Sequence, residues 1–287
     1  MTDRRPPQER LVQAVVRRPY RDVQGDKGWL GPFARAKPHR VVRTDIALAG
    51  WPALTRPLRI AFLTDFHIGS HTDDVARTAA ILTEAASHSP DLVLFGGDYM
   101  NMHFVGGGRV PPHVIAAMLS RLDAPLGRIA ILGNHDYMYG EDEVAAALRA
   151  RGITVLDHER RTVTVESHAI DIVGVPDAHL VRDKAKTLLA ELRAERPAIV
   201  LAHDPMWFAD VPAGPFLTLS GHTHGGQVKI PGIGILANAS TAPLRWSHGL
   251  VVEDGRTLYV SAGLGTSVIP LRIGVPPEFA ILEVNGS

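Results

Sequence analysis

Short apolar runs that end in metal-binding residue types are the feature that most constrains this chain. They occupy residues 58–64, 92–95, 128–131, 198–202 and 217–219, and aspartate, asparagine or histidine follows each within a few residues. Apolar runs of this length, bounded by glycine and polar residues, are typical of buried strands. Because ligands gather at the carboxyl ends of strands in parallel sheets, we expect these polar side chains to converge.

Helical patterns separate the first of these runs. Residues 73–89 and 141–151 are amphipathic, and residues 111–122 begin with two prolines, which favour the first turn of a helix. Strands that alternate with helices in this way predict a parallel sheet with helical crossovers.

The second half of the chain has a different pattern. Strands predicted at residues 162–165 and 169–173 form a hairpin, and a helix predicted at residues 183–196 precedes further short strands. Residues 42–48 alternate like a half-buried strand. We therefore predict an α/β fold with two stacked mixed β-sheets flanked on both outer faces by helices.

Domain organisation follows from the distribution of residue types. Residues 1–40 are rich in arginine, proline and glycine and lack periodicity, which predicts a loosely ordered arm, with a partner-binding segment as the alternative. Residues 41–287 contain no linker and no internal repeat, so we expect one domain there.

Composition excludes several classes of function. The 30 lysines and arginines balance 30 acidic residues, so the chain has no global field for nucleic acid. Cysteine is absent, which excludes disulfides, thiolate zinc sites and cysteine nucleophiles. No apolar run approaches the roughly 20 residues of a membrane span. These features predict a cytoplasmic protein, and they leave its oligomeric state open.

The polar residues at the strand ends are all potential metal ligands. Any one of them alone is most often a surface or core residue, but their shared position favours a common role. Seven donors exceed the about four to six that one ion usually takes, which favours two ions sharing a carboxylate. The set consists of Asp65, His67, Asp98, Asn134, His203, His222 and His224.

The ordered motifs resemble those of calcineurin-like metallophosphoesterases. The similarity spans residues 42–284, and its last part looks like the bacterial branch of small phosphodiesterases. The resemblance implies the four-layer α/β/β/α sandwich of that superfamily. The matching motifs are Asp65-Phe66-His67, Gly97-Asp98, Gly133-Asn134-His135-Asp136, His203 and Gly221-His222-Thr223-His224.

The resemblance also implies a role for each matching residue. His135 would face the scissile phosphate, and Asp98 would bridge two divalent ions. The ligand types suit manganese, iron, zinc or cobalt, so the metal stays open. The first ion would be held by Asp65, His67 and His224, and the second by Asn134, His203 and His222.

This arrangement implies a dinuclear phosphoesterase, most simply a phosphodiesterase, that uses a metal-bridging hydroxide on a small phosphoester. Two ions bring four positive charges against the negative charges of Asp65 and Asp98, and the surplus favours phosphate. His135 would stabilise charge on the phosphate or protonate the leaving oxygen.

One position departs from the family pattern. An acid often follows three residues after the bridging aspartate and supports the catalytic histidine, but here Asn101 occupies that place. An amide stabilises an imidazolium less than a carboxylate does. We therefore expect a lower working pKa for His135, or Asp136 as its replacement partner, and Asn101→Asp should move the pH–rate profile.

Two alternatives remain open. Apolar residues at 231–236 and 268–275 are suited to contact with an acyl chain, which would fit a lipid or nucleotide pyrophosphate hydrolase with peripheral membrane contact. A catalytically silent metal-binding scaffold is the alternative from another class. A nuclease is disfavoured because no basic stripe marks a nucleic-acid path.

Several other residues are candidates for the mouth of the site. Residues 106–109 are interpreted as a flexible loop there, with His103, Phe104 and Arg109 available to substrate. Trp246 and His248 either line the same mouth or pack a proline-rich loop. Histidines without a strand-end context are interpreted as surface residues: His39, His71, His88, His158, His168 and His179.

Overall fold

The computed structural model describes residues 35–102, 108–176, 182–235, 238–267 and 270–287. Most of the predicted N-terminal arm lies outside the described residues, as do His103, Phe104 and His179.

The strands follow the predicted order along the chain. They are β1 (Arg40–Leu48), β2 (Leu58–Leu63), β3 (Leu92–Phe95), β4 (Arg128–Ala130), β5 (Thr154–Val155), β6 (Glu159–Val165), β7 (His168–Val175), β8 (Ala198–Ala202), β9 (Phe216–Ser220), β10 (Lys229–Ile230), β11 (Gly234–Ile235), β12 (Gly249–Glu253), β13 (Arg256–Val260) and β14 (Glu278–Gly286). The helices are α1 (Asp74–Ser87), α2 (Pro112–Leu119), α3 (Asn134–Tyr139), α4 (Glu141–Arg149) and α5 (Arg182–Ala190).

These strands form two mixed six-stranded sheets and a short β10–β11 hairpin. The first sheet has the order β1-β14-β2-β3-β4-β5, with β2 to β5 parallel and β14 antiparallel to β2. The second has the order β12-β13-β9-β8-β7-β6, with β7, β8, β9 and β13 parallel. The central parallel strands of both sheets end where the polar residues lie.

Successive residues of the central strands pack in different layers. In β2, Ile60 and Phe62 face the core between the sheets, whereas Ala61 and Leu63 pack with α1, α2 and α4. In the second sheet, alternate residues of β7 and β8 pack between the sheets or against α5. Burial on both faces explains why these strands are continuous apolar runs. The predicted fold, two stacked mixed sheets with helices on both outer faces, is confirmed.

Two helical predictions are corrected. The helix expected at residues 183–196 ends at Ala190, because Leu192 bonds back to Leu189 in a tighter turn and Arg193 binds the carbonyl of Ala190. A six-residue helix, α3, begins at Asn134 directly after β4 and was not predicted. None of the described helices is long and apolar enough to cross a bilayer.

One side-chain prediction is wrong, and one open alternative is decided. His71 was expected at the surface, but it is buried and contacts Ser70 and Asp74. Of the two alternatives for Trp246, packing is the one observed, because its ring lies against Phe208 with 5.0 Å between ring centroids.

The buried carboxylate of Asp74 makes the fold sensitive to acid. Burial alone would raise its pKa, but the hydrogen bond from His71 and the charge of Arg77 outweigh it and lower the pKa to about 2. Its oxygens also accept hydrogen bonds from Gly69 N and Ser70 Oγ. The carboxylate therefore stabilises the fold at any pH above its unfolded pKa, and this stability is lost as the pH falls from about 4 to about 2.

We expect Asp74→Asn to lower the free energy of unfolding by about 2 kcal/mol at pH 6, and by progressively less below pH 4. Urea unfolding at pH 6, 4 and 3 measures this difference. Asp183→Asn is the matched control. Both residues lie in the first turn of a helix, but Asp183 is exposed on α5 whereas Asp74 is buried on α1. A difference independent of pH would contradict the assignment.

Candidate metal centre

Strained backbone marks the edge where the central strands end. Non-glycine residues rarely adopt positive φ, and those that do concentrate at functional sites. Half of the non-glycine residues with positive φ in the described chain belong to the predicted ligand set. They are Asp65 (52°), His67 (42°), Asp98 (54°), His222 (64°) and His224 (50°).

Asp65, His67 and His224 form one compact group, the Asp65 half-site. The Nε2 atoms of His67 and His224 lie 3.1 Å apart, and His224 Nε2 lies 3.7 Å from Asp65 Oδ1. All three side chains are buried, and a donor atom from each lies within 4.8 Å of the others. The group could therefore hold one metal ion.

Asn134, His203 and His222 form a second group, the His203 half-site. The Nδ1 atom of His222 lies 3.1 Å from Asn134 Oδ1 and 3.3 Å from His203 Nε2. One donor atom from each of Asp98, His203 and His222 also lies within 4.8 Å of the other two.

Asp98 lies between the two half-sites. Its Oδ2 atom is 3.5 Å from His67 Nε2 and 3.5 Å from His203 Nε2. Two donors that each lie about 2.0–2.2 Å from one ion, at tetrahedral or octahedral angles, are about 3–3.5 Å apart. Most donor spacings in the two half-sites fall in this range, and the longest is the 3.7 Å between His224 Nε2 and Asp65 Oδ1, so the residues present suit bound metal ions.

Surrounding groups orient these side chains. His203 Nδ1 lies 2.7 Å from the carbonyl of Gly96, which directs Nε2 towards Asp98. The backbone N–H of His135 donates to Asp98 Oδ1, and the N–H of His222 donates to Asp65. Such outer contacts set the orientation and tautomer of metal ligands.

Electrostatics favour a charged carboxylate at Asp98 and a neutral imidazole at His224. Burial works to raise the pKa of Asp98, but the charges of His203 and His135 hold it well below its usual value. Burial, followed by the charges of His67 and Arg272, holds the pKa of His224 well below its usual value. A neutral histidine and an ionised aspartate are the forms that bind metals.

His135 is half-buried and lies beside the Asp65 half-site. Its ring packs edge-on against His67, with 4.6 Å between centroids, and it shares a possible metal-binding group with His67 and Asp98. Burial lowers the pKa of His135, while Asp98 acts in the opposite direction and Arg109 adds to the lowering.

Asp136 and Asn101 have well-defined backbone partners. The carboxylate of Asp136 accepts hydrogen bonds from the backbone N–H groups of Asp98, Tyr99, Met100 and Gly133. It therefore joins the turn that carries Asp98 to the turn that carries Asn134. Burial and the charge of Asp98 raise the pKa of Asp136 to about 7, against the effect of these donors.

The buried amide of Asn101 donates to the carbonyl of Gly108, next to the buried Arg109. This contact ties Asn101 to the described end of the predicted mouth loop. Support of His135 by Asn101 or Asp136 stays a prediction.

Sequence patterns missed two residues that contact the ligands from behind. Asp204 Oδ2 lies 3.7 Å from His222 Nε2, and Arg272 Nη2 lies 3.1 Å from His224 Nδ1. Asp204 follows His203 directly, which is a weak signal, but Arg272 is 48 residues beyond His224 and no local pattern connects them.

Close packing around two glycines constrains the ligands. A Cβ atom at Gly221 would overlap Asp65 Oδ2 and Thr64 Oγ1, and one at Gly133 would overlap Asp98 Oδ1. We expect Gly221→Ala to displace Asp65 and weaken zinc binding at the Asp65 half-site by at least about tenfold, as measured by competition with a chelator.

Gly127→Ala provides the control for this substitution. An added Cβ there meets nothing within 4 Å, although the φ of 92° strains an alanine. It should lower stability without changing zinc affinity. Equal zinc affinity in Gly221→Ala and the wild type would contradict the placement of Asp65.

Comparisons with known proteins show the family of this chain. A family model for calcineurin-like phosphoesterases matches residues 58–226, which carry all of the predicted ligands. The chain belongs to the calcineurin-like phosphoesterase family. Its members are metal-dependent hydrolases, and the two half-sites supply groups that could hold the metal.

Relatives cover most of this calcineurin-like phosphoesterase. YpbG of Bacillus subtilis is 30% identical over 80% of this chain and 82% of its own length. The phosphodiesterase YaeI of Escherichia coli is 30% identical over 79% of this chain and 82% of its own length. A solved 5'-nucleotidase precursor from Thermus thermophilus aligns with a TM-score of 0.43 and 16% identity, over 71% of this chain and 48% of that one.

Proposed function

We propose that this chain is a phosphodiesterase that depends on two metal ions sharing Asp98. The observation that carries the proposal is the position of Asp98 Oδ2, 3.5 Å from a ring nitrogen of each half-site. The name of YaeI, a phosphodiesterase, supports the diester class.

The proposed chemistry assigns distinct roles to the residues of the centre. When bound, two divalent ions supply Lewis acidity for the phosphate and for the attacking water. Asp65 and Asp98 leave the centre with surplus positive charge, which attracts phosphate to a protein of zero net charge. The ring of His135, which packs against His67, would hydrogen-bond a phosphate oxygen or hold the proton for the leaving oxygen.

Metal analysis followed by a hydrolysis screen tests this proposal. The purified protein should bind two equivalents of manganese or zinc and cleave bis(p-nitrophenyl) phosphate faster than p-nitrophenyl phosphate. Binding of one equivalent, or a preference for the monoester, would contradict it. Complete absence of turnover with both metals bound would favour the silent scaffold instead.

A lipid or nucleotide pyrophosphate is the second candidate substrate. Ile233 in the β10–β11 hairpin is 68% exposed, and Ile273, in the neighbouring segment bridged to Val228, is 46% exposed. This hairpin begins shortly after the turn that carries His224, so an apolar part of a substrate could lie on it. Cleavage of a nucleotide-lipid pyrophosphate in detergent micelles, without cleavage of simple diesters, would favour this candidate.

A further inference from the structure

Each histidine of the centre has one ring nitrogen that faces away from the other ligands. The groups that contact this nitrogen, which lie behind the histidine, differ chemically. Behind His203 is the carbonyl of Gly96. Behind His222, the Nε2 atom faces the carbonyl of Ala239 at 3.2 Å and the carboxylate of Asp204 at 3.7 Å. These are hydrogen-bond acceptors, the usual partners of a ligating histidine.

His224 instead has a cation behind it. The Nη2 atom of Arg272 lies 3.1 Å from His224 Nδ1, while His224 Nε2 faces His67 and Asp65. The guanidinium of Arg272 therefore contacts the ring on the side opposite to the proposed ion.

Backbone contacts hold Arg272 in this position. Its side chain is buried, its Nε atom donates to Gly265 O at 2.8 Å, and its Nη2 atom donates to Ala262 O at 2.6 Å. A guanidinium stays protonated in proteins, so the side chain is charged at neutral pH. A fixed positive charge thus lies next to the Asp65 half-site.

Hydrogen bonding to Arg272 and binding of a metal ion require different tautomers of His224. A guanidinium can only donate, so its contact with Nδ1 requires the lone pair of the ring to be there. A neutral imidazole that binds an ion through Nε2 carries its proton on Nδ1. Metal binding must therefore disrupt the Arg272 contact, and the nearby positive charge also repels the ion.

We propose that Arg272 lowers the metal affinity of the Asp65 half-site by acting through His224, whereas Asp204 raises the affinity of the His203 half-site by acting through His222. This inference rests on the two-ion centre of the proposed function. Both are positioning residues, since neither contacts the reacting atoms. The two half-sites differ in what lies behind their histidines as well as in their own ligands.

Zinc binding to substituted proteins tests the inference directly. In Arg272→Gln, the amide oxygen can accept a hydrogen bond from Nδ1–H, so we expect zinc affinity at the Asp65 half-site to rise about tenfold. Arg272→Lys retains the charge and should stay within about threefold of the wild type. Asp204→Asn should weaken the His203 half-site by about tenfold. Competition with a chelator measures each affinity, and the histidine NMR signals assign it to a half-site.

Arg77→Gln is the matched control. Arg77 donates to the carbonyl of Leu264, in the same loop that Arg272 holds, but its hydrogen bonds go to Asp74 and Leu264 and not to His224. Its removal should lower stability and leave both zinc affinities unchanged. An increase in zinc affinity in Arg272→Gln would support the inference, because damage to the fold alone would weaken zinc binding.

The tautomers of the wild-type protein provide a test that needs no substitution. Long-range ¹H–¹⁵N NMR spectra of zinc-free protein should show His224 with a bare Nδ1 and His203 with a protonated Nδ1. A protonated His224 Nδ1, or unchanged or weaker zinc binding in folded Arg272→Gln, would overturn the inference and leave the proposed function intact. Wild-type protein that binds fewer than two zinc ions would overturn both.

Discussion

Replacing His135 with asparagine should lower kcat for a phosphodiester by about 10²–10⁴-fold and leave two metal ions bound. His135 is next to the centre through its ring contact with His67, but each half-site has three other donor residues. Its removal should therefore abolish a proton or hydrogen bond that the reaction needs without removing a ligand. Steady-state kinetics and metal analysis of the same preparation measure the two effects.

His113→Asn is the matched control for this substitution, because His113 is exposed on α2. It should leave kcat and metal content unchanged. Loss of one ion from His135→Asn would contradict the proposed role. Such a loss is conceivable because donor atoms of His135, His67 and Asp98 also lie within 4.8 Å of one another. In that case His135 would be a ligand and the assignment of the half-sites would change.

Replacing Asp136 with asparagine should lower the free energy of unfolding by about 3 kcal/mol at pH 8, where the carboxylate is ionised, and weaken metal binding, because each buried donor left without a partner costs about 1–3 kcal/mol. Oδ2 of this carboxylate accepts from the N–H groups of Asp98 and Gly133, and Oδ1 accepts from those of Tyr99 and Met100. An amide has one oxygen, so two buried donors would face an NH₂ group.

Loss of these contacts would also allow the turn that carries Asp98 to move away from the turn that carries Asn134. Urea unfolding and zinc competition measure the two consequences. Asp142→Asn makes the same substitution on the exposed face of α4 and should change neither quantity. An Asp136→Asn protein with wild-type stability would show that the four backbone hydrogen bonds contribute little.

Local sequence patterns were sufficient for the central strands. β3 and β8 occur at the predicted residues, 92–95 and 198–202, because a strand buried on both faces must be apolar throughout. Helix ends were less accurate. The end of α5 at Ala190 depends on a tight turn and on Arg193, and neither changes the amphipathic pattern that continues to residue 196.

The candidate ligands could also be proposed from the sequence, because each follows a strand and strand ends of parallel sheets meet. The roles of Asp136 and His71 could not. The sequence suggested Asp136 as a possible partner of His135. Only the structure shows that its carboxylate oxygens accept hydrogen bonds from four backbone N–H groups. His71 is polar and far from any strand end, and only the packing of α1 explains its burial.

The sequence by itself determined the order of the central strands, the family and the set of potential ligands, because these depend on periodicity and motifs along the chain. Only the tertiary structure decided the distances between the ligand atoms, and that Arg272 lies behind one half-site and Asp204 behind the other. The physical reason is that metal affinity depends on charges and hydrogen bonds within a few ångströms. Residues separated by such short distances in space can be many positions apart in the chain, as His224 and Arg272 are.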